Sequence, residues 1–98
     1  MNLRQEIEEA IVALARQYIE IEKVVLFGSR ARGDNTERSD IDLAIWSEKS
    51  MSEFAYALEE EVPTLLEFDL SYMNEVEDAF FREQVTKEGI VLYEKPRF

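Results

Sequence analysis

The chain contains neither cysteine nor histidine in its 98 residues. The first absence excludes disulfides and thiolate metal sites, and the second excludes imidazole ligands and histidine general bases. Any metal must therefore be held by oxygen, which suits hard cations such as Mg²⁺, Mn²⁺ or Ca²⁺ better than zinc. Glycine and proline are scarce, at three and two. No Ser/Gly/Pro-rich linker or internal repeat divides the chain, so one domain over residues 1–98 is expected, without low-complexity or disordered segments. No apolar run approaches the roughly 18 residues of a membrane span. The start, "MNLRQEIEEAI", is acidic and amphipathic, unlike a signal peptide, so a cytoplasmic location away from membranes is expected. Positive charge is also in short supply, with 11 Lys and Arg against 22 Asp and Glu, a net charge of -11. Such a surface repels nucleic acid and anionic lipid and favours a basic protein partner. Domains this small are often marginal alone, so a partner subunit is also a source of stability.

What is present reads as alternating helices and strands. Apolar residues recur from Leu3 at Ile7, Ile11, Leu14 and Tyr18, one stripe along a helix. Asn2 is expected to cap it, with Gln5 reaching back. "KVVLFG", Lys23 to Gly28, reads as a buried strand ended by a glycine turn. "SDIDLAI" alternates, with Ile41, Leu43 and Ile45 on one face and Asp40, Asp42 and Ala44 on the other. "SMSEFAYALEEEVP" reads as a helix with a Ser50/Glu53 capping box, core contacts Phe54 and Leu58, a solvated run Glu59 to Glu61, and Pro63 as its stop. "LLEFDLSY", Leu65 to Tyr72, alternates again, which places Asp69 mid-strand away from Leu66, Phe68, Leu70 and Tyr72. "NEVEDAFFREQVTKEG" reads as a helix with an Asn74/Glu77 cap, buried Val76, Phe80, Phe81 and Val85, and Gly89 as its end. "IVLYE" is a closing strand. The order implies an α/β (α+β) domain, a small mixed sheet flanked by helices. Trp46, Tyr56 and Tyr72 are expected in the core, with base stacking or a partner face as the other uses of an aromatic ring.

Asp40 and Asp42 are the unusual feature. Alternating polar residues mark any half-exposed strand, yet aspartate is depleted in strands, and same-face neighbours lie roughly 6.5–7 Å apart. At about 6 Å two unit charges repel by on the order of 0.7 kcal/mol in water and about 3 kcal/mol at an effective dielectric near 20. Either the pair is a solvent-facing pattern or a cation neutralises it. With Asp69 from a neighbouring strand, the pair forms a candidate three-carboxylate cluster for one or two Mg²⁺ ions. "GSRARG" follows the first strand and supplies what a phosphate needs. Gly28 permits close approach, backbone N–H groups and Ser29 donate, and Arg30 and Arg32 add charge where they are not simply surface residues.

Gly28-Ser29, ten residues, then Asp40-Ile41-Asp42 resembles the signature of the DNA polymerase β-like nucleotidyltransferase superfamily. "FGSRARGDNTERSDIDLAI" with the later "EFDLSY" is similar to its minimal nucleotidyltransferase (MNT) branch. The resemblance implies that Gly28 and Ser29 hold a nucleoside triphosphate and that Asp40 and Asp42 coordinate Mg²⁺. Asp69 matches the third acid, which helps hold the metal and is placed as general base. Without histidine, an ionised aspartate is a sensible base on chemical grounds as well. The resemblance further implies the antitoxin half of a toxin–antitoxin pair whose toxin is a HEPN-domain ribonuclease. The expected reaction is transfer of AMP from ATP to a tyrosine of that toxin, with release of pyrophosphate. A bulky anionic group there would obstruct RNA. The chain ends soon after its catalytic strands, so the acceptor is expected on a separate partner. The other readings are a silent antitoxin that masks the toxin by binding, and a nucleotidyltransferase for a small hydroxylated molecule.

Overall fold

In the computed structural model, which describes residues 1–96, the elements run α1 (Gln5–Gln17), β1 (Ile21–Phe27), α2 (Gly28–Arg32), β2 (Ile41–Ser47), α3 (Ser52–Glu61), β3 (Phe68–Tyr72), α4 (Ala79–Glu88) and β4 (Ile90–Glu94). Arg97 and Phe98, the end of the expected 1–98 domain, lie outside the described residues. The strands form one mixed sheet in the order β3-β2-β1-β4. β1 pairs antiparallel with β2 and with β4, while β2 pairs parallel with β3. A parallel pair needs a crossover, and α3 supplies it. This is the α/β arrangement of a mixed sheet flanked by helices. No described helix is long and apolar enough to cross a membrane.

The sheet buries both faces, unequally. On one, Val24 and Leu26 of β1 and Ile41, Leu43 and Ile45 of β2 meet Ile7, Ile11 and Leu14 of α1 and Phe54 and Leu58 of α3. On the other, Val25, Ala44, Met73 and Val85 form a smaller cluster, with Phe27, Trp46, Val76 and Phe81 packed against it. Ala44 shares its strand face with Asp42 by alternation. That face thus begins apolar under α4 and turns acidic towards the start of β2.

The expected helix caps differ from those formed. The Asn2 backbone pairs with Arg30, its N–H donating to the Arg30 carbonyl at 2.8 Å, and α1 begins at Gln5 without a side-chain cap. At α3 the Ser50 hydroxyl accepts from Ser52 N–H at 3.2 Å, and Glu53 makes no reciprocal bond. At α4 the cap is Asp78, whose carboxylate accepts from the N–H groups of Phe80 and Phe81. Asn74 instead accepts from Ser47 N–H at 2.9 Å, so it ties the end of β2 to the turn after β3. Starting α4 at Ala79 rather than Asn74 rotates Phe80 outward. It is 76% exposed, where burial was expected. Tyr56 is likewise exposed, while Trp46 and Tyr72 are partly buried.

Candidate active site

Strand pairing assembles the site from three distant stretches of sequence. Phe27, the last residue of β1, lies opposite Asp42 in the antiparallel register, and Asp42 lies beside Asp69 in the parallel register. The chain turns immediately after Phe27 into α2. Phe27, Asp42 and Asp69 therefore fall in one row across three strands spaced roughly 4.8 Å apart, with Gly28 immediately past its end and against Asp42. Gly28 has φ +73°, in the left-handed region, and a Cβ there would collide with the Asp42 carboxylate. Only glycine satisfies both conditions, since it alone lacks the atom that forbids each. The α2 helix ends at Gly33, also left-handed at φ +90°.

The electrostatics of this row are those of uncompensated acids. The Asp42 carboxyl is pushed up to about 6, first by burial, then by the charges of Asp69 and Asp40 and by its hydrogen bond with Asp69, with Arg32 acting in the opposite direction. None of Asp40, Asp42 and Asp69 takes part in an ion pair among the described residues. Asp40 and Asp69 are exposed and Asp42 is half-buried. The three-carboxylate cluster expected from sequence is a close pair with a flanking third. Among the described residues no three acidic side chains sit close enough to hold one ion together. Asp40 precedes β2 and acts on Asp42 through its charge, and like charges spread when nothing draws them inward. The donor set fits a hard dication. It offers only oxygen, it lacks a basic counterion, and its mutual repulsion is what a cation would relieve.

The two arginines of "GSRARG" have different surroundings. Arg32 is exposed and pairs with Asp34 at 3.0 Å and Glu88 at 2.9 Å, and both bonds raise its pKa. It stays at the surface on the side of Asp42. Arg30 is only 7% exposed, and its donors go to backbone carbonyls. Its expected contact with phosphate does not fit a buried side chain with four of its five N–H groups donated to backbone carbonyls. A basic residue directly after Ser29 gives no hint of burial, so the sequence offered no signal beyond a ten-residue polar loop with nothing else to anchor it. Glu88 was also missed as the partner of Arg32, because only the α4–α2 contact brings it near.

The carboxylates occupy an open rim. A concavity of about 1140 Å³ lies between the N-terminal segment, the end of α3 and residues 62–66, and its lining contains neither Ser29 nor any of the three aspartates.

Comparison with known proteins agrees with this fold. The family described as "Polymerase beta, Nucleotidyltransferase" matches residues 9–98. A protein of Methanocaldococcus jannaschii that bears the name of a protein adenylyltransferase is 37% identical, over 95% of this chain and 100% of its own length. A mutant MntA-HpeT toxin–antitoxin complex contains a chain that is 26% identical with a TM-score of 0.69, covering 90% of this chain and 72% of that one. A similar fold, at a TM-score of 0.67 and 23% identity, covering 95% of this chain and 74% of that one, occurs in a tri-AMPylated Shewanella oneidensis HEPN toxin in complex with its MNT antitoxin.

Proposed function

Because the chain belongs to the polymerase β nucleotidyltransferase family, we propose that this nucleotidyltransferase is an antitoxin that transfers AMP from ATP to a tyrosine of a HEPN-domain toxin. Residues 1–98 act as one domain in this reading. The observation that carries it is the strand register that sets Gly28, at the phosphate turn, directly against Asp42, with Asp69 beside it. The names carried by the Methanocaldococcus relative and by the toxin–antitoxin complexes support the choice of adenylyl group and partner.

Gly28 and Ser29 hold the triphosphate, through backbone N–H groups and the Ser29 hydroxyl at the start of α2. Arg32 exchanges Asp34 and Glu88 for phosphate oxygens as the nucleotide arrives, a fork-shaped donor matched to that geometry. Asp42 and Asp69 would hold Mg²⁺, or Mn²⁺ in its place, with Asp40 as the flanking third acid. When bound, the ion supplies Lewis-acid stabilisation of the charge on the transferring phosphoryl group. Asp69 orients the acceptor hydroxyl and takes its proton as the oxygen bonds to the α-phosphorus. The bond from that phosphorus to the bridging oxygen of the β-phosphate breaks, and pyrophosphate leaves. The step requires an ionised carboxylate, since only that form accepts a proton. The open rim suits an acceptor presented by another protein, and the acidic surface suits a basic, RNA-binding one.

The test is the intact mass of a HEPN-domain partner after incubation with this chain, ATP and Mg²⁺. A gain of one or more AMP groups on tyrosine is expected. A partner that stays unmodified, yet is still silenced by an Asp40→Asn/Asp42→Asn variant, would establish masking by binding instead. AMP found only on a small hydroxylated compound would establish the small-molecule reading.

A further inference from the structure

Arg30 is the only buried charged side chain among the described residues. It makes no ion pair there, and its charge is met by carbonyl dipoles alone. Nε donates to Ser39 O at 3.0 Å, Nη1 to Asn2 O at 3.0 Å, and Nη2 to Glu37 O at 3.3 Å and Thr36 O at 3.4 Å. The Asn2 N–H donates in turn to the Arg30 carbonyl. Burying a cation with no carboxylate partner is costly, and an apolar side chain would fill the same volume more cheaply. What only a planar fork of five N–H donors does is fix several stretches of backbone at one point.

The stretches it joins are the two halves of the site. Arg30 stands one residue after Ser29, in the helix that begins at the phosphate turn. The Ser39 carbonyl belongs to the peptide that leads directly into Asp40. The carbonyls of Thr36 and Glu37 belong to the same loop, which also holds itself together through Ser39 Oγ accepting from Thr36 N–H at 2.9 Å. Without the fork, the ten-residue loop between Ser29 and Asp40 has one short helix at its start and a polar turn at its end, with no other buried anchor between them.

We propose that Arg30 is a positioning residue that fixes the Ser39–Asp40 peptide against α2, so that the phosphate turn and the carboxylates keep one spacing, without itself touching nucleotide or metal. This rests on the site assigned above. It predicts that loosening the fork damages metal binding in the nucleotide complex far more than nucleotide binding itself.

The experiment measures free Mn²⁺ by electron paramagnetic resonance while the full chain is titrated in the presence of a non-hydrolysable ATP analogue. Nucleotide affinity without metal is measured in parallel. Arg30→Lys keeps the charge but cannot span four carbonyls, and is expected to weaken Mn²⁺ binding about tenfold while changing metal-free nucleotide affinity by less than about twofold. Ser39→Ala removes the Thr36 N–H bond to Ser39 Oγ that holds the carbonyls of residues 36, 37 and 39 in place for the fork, and is expected to weaken Mn²⁺ binding about threefold. An arginine with a merely structural role would lower the unfolding midpoint and leave Mn²⁺ affinity unchanged where the variant is folded, which overturns the proposal. If Arg30→Lys does not fold, unchanged Mn²⁺ affinity in Ser39→Ala overturns it equally. A wild-type chain that binds no Mn²⁺ overturns the site assignment and the positioning role together. Equal binding by wild type and both variants overturns the positioning role alone.

Discussion

The two faces of β2 differ by a single residue of register and do opposite things. Ile41, Leu43 and Ile45 are fully buried against α1 and α3. Asp42, Ala44 and Trp46 face the other way, and there the strand runs from a partly covered tryptophan, through a buried alanine, to a half-buried acid held above its ordinary pKa. The first face stabilises the fold. The second gives up stability at one end, where carboxylates repel, and the resulting electrostatic tension is what a dication would relieve. Stability and chemistry are thus separated by the alternation of one strand, and substitutions on the two faces should have opposite signatures.

The largest separation is expected from Asp69→Asn. AMP transfer should fall by about 10²–10⁴-fold, the range for loss of a general base, while the urea unfolding midpoint is unchanged or higher. Kinetics and unfolding on one sample check both halves. Leu43→Ala should invert the pattern, costing about 2–5 kcal/mol of stability by urea denaturation, with near-normal turnover per folded molecule at low temperature. If Leu43→Ala abolished turnover in the folded fraction, the separation of the faces would be broken.

Gly28→Ala falls between the faces and should harm both. Left-handed backbone costs a non-glycine residue about 1–2 kcal/mol, and the new Cβ displaces the Asp42 carboxylate as well. Nucleotide affinity by calorimetry should drop along with the unfolding midpoint.

The smallest effect is the sharpest in sign. Asp42 has a folded-state pKa raised from 3.8 to about 6, so the folded chain holds this proton more tightly than the unfolded one. Its contribution to stability is present in full below pH about 4 and is lost as the pH rises through about 6. Because the group is only half-buried, solvent screening reduces the effect to about 1 kcal/mol. Urea midpoints measured across this window should decline for wild type and stay flat for Asp42→Asn, other groups being equal. Added Mg²⁺ should lower the Asp42 titration followed by carboxyl NMR, since a bound cation favours the ionised form. A titration that ignores Mg²⁺ would show that no ion binds there.

Much of this was legible in the sequence, for reasons that also explain what was not. The order of helices and strands follows from apolar spacing, and Leu43 and Phe54 are buried as their periodicity requires. Asp42 and Asp69 stand out because aspartate is rare in strands, and their adjacency follows from a parallel pairing that sequence does not display. Helix caps were less legible because they depend on competition. Asn74 was drawn to Ser47, and the Asn2 backbone to Arg30, by tertiary contacts no local pattern encodes. Asp78, four residues beyond Asn74, caps α4 instead. The burial of Arg30 was hidden for the same reason. A guanidinium that bonds to backbone carbonyls leaves no complementary residue in the sequence to reveal it.

The most direct test is the mass of the HEPN-domain partner after incubation with this chain, ATP and Mg²⁺, run beside Asp69→Asn. The account predicts added AMP on a partner tyrosine with the wild-type chain and almost none with the variant. Equal modification by both, or none by the wild type despite tight binding, would contradict it.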